Sequence, residues 1–82
     1  MRTVTLYTRP GCHLCDDARA AILRVRERAD FALAEIDIES DDALHRAYLE
    51  RIPVVDLDGE ELFEHFVDEA ALAARLRNDG LE

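Results

Sequence analysis

The chain is poor in several residue types, and each scarcity narrows what it can be. It has two cysteines, two prolines and three glycines in 82 residues, and its ten cations are all arginine, with no lysine. No apolar run approaches the roughly 20 residues of a membrane span. No apolar leader core follows Met1-Arg2-Thr3-Val4-Thr5, which runs directly into a strand pattern. An export signal is therefore not expected, and a reducing cytoplasmic compartment is. There, a permanent structural disulfide is not expected either. No repeat, linker or low-complexity run divides the chain, so residues 1–82 are expected to form a single small domain and to act as a monomer. Basic residues are outnumbered by acids, 10 to 19, for a net charge of −9. Such a surface repels phosphate backbones, which argues against nucleic-acid partners and weakens long-range attraction of anionic small thiols. The missing lysine itself points to residue bias more than to function.

Apolar residues make up 49% of the chain, enough for a globular fold. Thr3 to Thr8 alternates Val4 and Leu6 with Thr and Tyr, the pattern of a strand. Pro10 and Gly11 break it. From about Leu14 to Ala29, Leu14, Ala18, Ala21, Ile22 and Val25 recur at helical spacing as one apolar stripe. Asp16 and Asp17 in its first turn and Arg24, Arg26 and Arg28 near its end suit the helix dipole. Phe31 to Ile38 reads as a second strand whose apolar phase slips, as burial on both faces or a bulge would produce. Ser40 is the expected cap of a short helix carrying Leu44, Ala47, Tyr48 and Leu49. Ile52 to Leu57 reads as a third strand, Asp58-Gly59 as a hairpin turn, and Glu60 to about His65 as the antiparallel partner. Asp68 caps a last helix through Leu72 and Leu76, closed by Asn78-Asp79-Gly80. The order predicts an α/β fold: a four-stranded mixed sheet, two parallel strands plus a β-hairpin, with three helices on both faces.

The two cysteines stand where the first strand gives way to the first helix, in Thr8-Arg9-Pro10-Gly11-Cys12-His13-Leu14-Cys15. A helix start presents free N–H groups and partial positive charge, which favour a thiolate. The thiolate is the reactive form, and a second sulfur three positions on can trap whatever the first captures. The pair thus reads as a reversible redox centre, the bland alternative being two small buried apolar residues. As an imidazolium, His13 would lower the Cys12 pKa, while Asp16 and Asp17 oppose its ionisation.

Leu6-Tyr7-Thr8-Arg9-Pro10-Gly11-Cys12-His13-Leu14-Cys15-Asp16, then Arg51-Ile52-Pro53-Val54-Val55 and Asp58-Gly59, resembles the small bacterial glutaredoxin-like proteins of the thioredoxin superfamily. The resemblance spans essentially the whole chain and implies a thioredoxin-like fold. It implies that Cys12 is the exposed nucleophile and Cys15 the more buried resolving thiol. It implies further that Pro53 is cis beside the cysteines and that the Ile52 backbone pairs with substrate as an added strand. Arg9 stands where such proteins carry a basic residue able to stabilise the thiolate or hold a glutathione carboxylate, and Arg51 is a second candidate for anion contact. The implied activity is dithiol–disulfide exchange with a disulfide-bearing protein or a small thiol. It needs no bound cofactor; glutathione would act as co-substrate, and glutathione or a thioredoxin reductase-like enzyme as reductant.

The chain departs from that family in two places. His13-Leu14 replaces the usual Pro-Tyr or Pro-Phe between the cysteines. A Gly-Gly pair before the last helix is replaced by Leu62-Phe63-Glu64-His65-Phe66-Val67-Asp68, whose bulk and charge would obstruct glutathione. Two other classes stay open. One is metal binding, either zinc held by the cysteines with histidines among His13, His45 and His65 or an iron–sulfur cluster bridged through Cys12. The other is a redox-inactive binding module of the same fold.

Overall fold

The computed structural model describes the backbone of residues 2–80 and the side chains of residues 2–77. Strand β1 (Thr3–Thr8) alternates cleanly, with Val4, Leu6 and Thr8 buried and the odd residues half-buried. Helix α1 (His13–Arg26) follows, then β2 (Ala32–Asp37), a 3-10 turn (Ile38–Ser40), α2 (Asp42–Tyr48), β3 (Val54–Leu57), β4 (Glu60–Glu64) and α3 (Glu69–Gly80). The sheet order is β2-β1-β3-β4. β1 runs parallel to β2 and antiparallel to β3, and β3 pairs antiparallel with β4. This is the expected four-stranded mixed sheet with three helices.

Val4, Leu6, Val55 and Leu57 point to one face, where they meet Ala18, Ile22 and Val25 of α1 and Leu72 and Leu76 of α3 in the main core. Tyr7 points to the other face, where Leu44 and Tyr48 of α2 pack with Cys15, Ile38 and Ile52 in a second, smaller cluster. Asp58 and Gly59 both adopt left-handed backbone (φ 50° and 88°), the conformation of the expected two-residue turn. Asp58 does more than turn the chain, since its carboxylate accepts the Thr3 N–H at 2.8 Å and pairs with Arg2 at 2.6 Å. These hydrogen bonds, Thr3 N–H first, hold its pKa below the usual carboxylate value.

Several local expectations need correction. α1 ends at Arg26, not near Ala29, with Glu27 as its C-cap. Leu14 is 54% exposed and lies off the buried stripe, because the inward place in the first turn is taken by Cys15. The phase slip around β2 comes neither from a bulge nor from burial on both faces, since the register with β1 is regular and the strand's own residues are at most half-buried. Phe31 and Ile38 instead lie just outside the strand and insert into different clusters. The cap of α2 is Asp41, whose Oδ1 accepts the Ala43 and Leu44 N–H groups, while Ser40 belongs to the 3-10 turn. β3 begins at Val54, two residues after the expected start, and β4 stops at Glu64. Asp68 caps α3 as expected, accepting the Ala71 N–H at 3.1 Å. Helical backbone continues through Gly80, so the Asn78-Asp79-Gly80 signal does not end the helix before that residue; whatever closes it lies outside the described residues.

Candidate active site

Gly11 turns the chain into α1 with φ 77°, and a Cβ there would meet nothing within 4 Å. The glycine is therefore required by the backbone angle, not by crowding. The turn sets Cys12 as the N-cap of α1. Its sulfur accepts the Cys15 N–H at 3.1 Å, the bond that a capping side chain oxygen usually makes. The same N–H stands ready to stabilise a Cys12 thiolate. Cys12 and Cys15 are joined by a disulfide, with their Cα atoms 5.2 Å apart. Their environments differ: Cys12 is half-buried, whereas Cys15 is wholly enclosed beside Ile38 and Ile52.

The remaining predicted site residues fall into two groups. Arg9 and His13 are exposed on the loop and helix start around Cys12. Arg9 lines a shallow pocket of about 260 Å³ with Gly11, Asp16 and Arg19. There, Arg19 is already tied to Asp16 at 2.9 Å and to Glu35 at 2.6 Å. Ile52 and Pro53 are buried on the other side, and the bond between them is cis. The Ile52 N–H donates to the Tyr48 carbonyl at 3.0 Å. That bond engages the donor that the strand pairing expected of Ile52 would use.

Arg51, the second candidate for anion contact, is already paired. Its guanidinium lies 5.4 Å above the Tyr48 ring centre, bonds Glu64 at 2.8 Å and pairs with Glu61. The hydrogen bonds to Glu61 and Glu64 push its pKa up, and the bond to Arg51 holds Glu64 low. A cation flanked by two carboxylates offers little to a third.

Four contributors carried no clear signal in the sequence. Tyr7 and Tyr48 stack at 4.5 Å between ring centres and join α2 to the sheet beneath the cysteines. Burial, then the nearby Asp56 carboxylate, pushes the Tyr7 pKa up. Asp56 itself lies on the same face. Burial, then Glu61 across the β3–β4 pair, raises its pKa, and its buried Oδ1 has no hydrogen-bond partner among the described residues. His65 follows β4 with left-handed backbone (φ 72°). Its N–H donates to the Pro53 carbonyl at 2.8 Å and its Nε2 lies 3.1 Å from the Glu50 carbonyl, so it fastens the proline loop at two points. An aromatic in the odd phase of β1 was the one available hint of Tyr7; nothing local marked His65.

Among the described residues, no group of three or more His, Cys, Asp or Glu gathers to hold a metal ion, and no helix is long and apolar enough to cross a membrane.

Comparison with known proteins places this geometry among relatives. A solved structure of a protein from X. campestris is 39% identical, covering 92% of this chain and 96% of that one, with a TM-score of 0.75. A glutaredoxin-like protein of Dictyostelium discoideum, the YDR286C homolog, is 31% identical over 77 residues, 84% of this chain and 69% of its own length. A mutant thioredoxin of Halobacterium salinarum is 28% identical over 94% of this chain and 73% of that one, with a TM-score of 0.67, so the fold is thioredoxin-like. Residues 3–77 match the model of the glutaredoxin-like domain (DUF836). With nearly its whole length matched, from β1 into α3, the chain belongs to the glutaredoxin-like domain family.

Proposed function

We propose that the protein is a dithiol–disulfide oxidoreductase in which Cys12 attacks and Cys15 resolves. The observation that carries this reading is the asymmetry of the bonded pair: Cys12 caps the helix half-exposed, with the Cys15 N–H on its sulfur, while Cys15 is fully enclosed. In the reduced protein the Cys12 thiolate attacks one sulfur of a substrate disulfide. A mixed disulfide forms and the other substrate sulfur leaves as a thiolate, which takes up a proton. Cys15, deprotonated, then attacks the Cys12 sulfur, releasing the second substrate thiol and closing the Cys12–Cys15 disulfide. Two electrons pass to the substrate. A thiol reductant such as glutathione, or a thioredoxin reductase-like enzyme, restores the dithiol. No resident cofactor is required.

Arg9 supplies positive charge on the exposed side of Cys12, with the His13 side chain exposed at the helix start, and Ile52 offers its carbonyl to an extended substrate beside Pro53. The cytoplasm, a reducing compartment, suits such a cycle. The test is exchange by variants. Cys12→Ser abolishes reduction of a mixed disulfide, whereas Cys15→Ser still attacks and accumulates the covalent intermediate, read by mass. Parent-like turnover by both variants overturns the assignment.

A further inference from the structure

Between α1 and the segment before α3 lies an open groove of about 210 Å³, bordered by Leu14 of the Cys12–Cys15 segment and by His65, which holds the Pro53 carbonyl. Leu14, Ala18, Phe66 and Val67 line it, together with Asp17 and Glu69. Leu14 lies between the two cysteines in sequence and is 54% exposed, and Phe66 is 68% exposed. A single exposed apolar side chain is ordinary; two that border one groove, one of them from within the Cys12–Cys15 segment, form a surface. We infer that this groove receives an apolar side chain of a disulfide-bearing polypeptide, with a basic residue of the same polypeptide beside it. This inference rests on the exchange chemistry proposed above and names the substrate class of that site.

Three observations commit the groove to this occupant. Its volume lies below the roughly 300–1,000 Å³ of a whole small-molecule site, and suits one side chain. Its charged lining is two carboxylates, Asp17 and Glu69, against one guanidinium, Arg24, and Arg24 is bound to Glu69 at 2.8 Å. The balance is acidic within a chain of net charge −9, which attracts a cation and repels the carboxylates of glutathione. Arg51 beside Ile52 is already held by Glu61 and Glu64, and Arg9, the cation beside Cys12, lines a different pocket from this groove, so neither neutralises its carboxylates.

The test is single-turnover exchange by the pre-reduced protein. Its substrates are a synthetic peptide disulfide with Leu and Arg beside the cysteine, the same peptide with Glu for Arg, oxidised glutathione, and bis(2-hydroxyethyl) disulfide as a reference without side chains. The Leu-Arg peptide is expected to react fastest. In Phe66→Ala, its rate relative to the reference disulfide should fall about tenfold, the scale of losing one buried aromatic contact. In Asp17→Lys, the preference for the Arg peptide over the Glu peptide should shrink severalfold. An unchanged ratio in Phe66→Ala, or faster reaction with oxidised glutathione than with the Leu-Arg peptide, overturns the groove's role while leaving exchange intact. Failure to reduce any of the four overturns exchange itself, and the groove's role with it.

Discussion

The two faces of the sheet differ in depth. On one, α1 and α3 seal Val4, Leu6, Val55 and Leu57 under Ile22, Val25 and Leu72, all essentially free of solvent. On the other, a seven-residue helix covers only part of the sheet, and its cluster is built on Cys15, Ile38 and Ile52 with the Tyr7–Tyr48 stack alongside. The deep face holds the fold together. The shallow face carries the resolving sulfur, the proline loop, and Tyr7 and Asp56, whose pKa values burial raises. A small protein can thus keep its reactive pair near the surface without exposing its main core.

If the comparison is right, damage to the two faces should have different sizes. Ile22→Ala empties a fully buried site in the main core and should cost about 2–5 kcal/mol in urea unfolding. Tyr48→Leu, on the shallow face, keeps an apolar body but loses the stack and should cost only about 0.5–1.5 kcal/mol. Equal losses would erase the distinction.

Asp56 sharpens it with the smallest effect. Because burial raises its folded pKa, the folded state binds its proton more tightly than the unfolded chain does. Its contribution to stability is therefore full below the ordinary carboxylate pKa and is lost as pH rises through the folded value. Asp56→Asn should raise the melting temperature at pH 7, and the gain should vanish once pH falls below the carboxylate range. A gain independent of pH would show that the charge is not the cause.

Much of this was legible from local signals. The alternation in β1, the Asp58-Gly59 turn and the Asp68 cap each appear where short-range chemistry requires them. The Cys12–Cys15 pair at a helix start was equally plain, because its chemistry depends only on neighbours along the chain. What the sequence hid was set by distant contacts. Phe31 and Ile38 seemed to belong to one strand because nothing local shows that they bury in separate clusters. Arg51 looked like an open anion contact until β4 brought Glu61 and Glu64 to it. His65 stood in the sequence only as one possible zinc ligand, and only the fold sets its N–H and ring against the loop that carries Pro53. Leu14 fitted the apolar stripe by spacing, yet Cys15 took the inward position.

The division of labour between the sulfurs can be read directly by brief iodoacetamide labelling of the reduced, folded protein, with adducts located by peptide mass spectrometry. Cys12 should label first and almost alone, and Cys15 only after denaturant opens its cluster. Equal labelling of both, or labelling of Cys15 ahead of Cys12, would contradict the account.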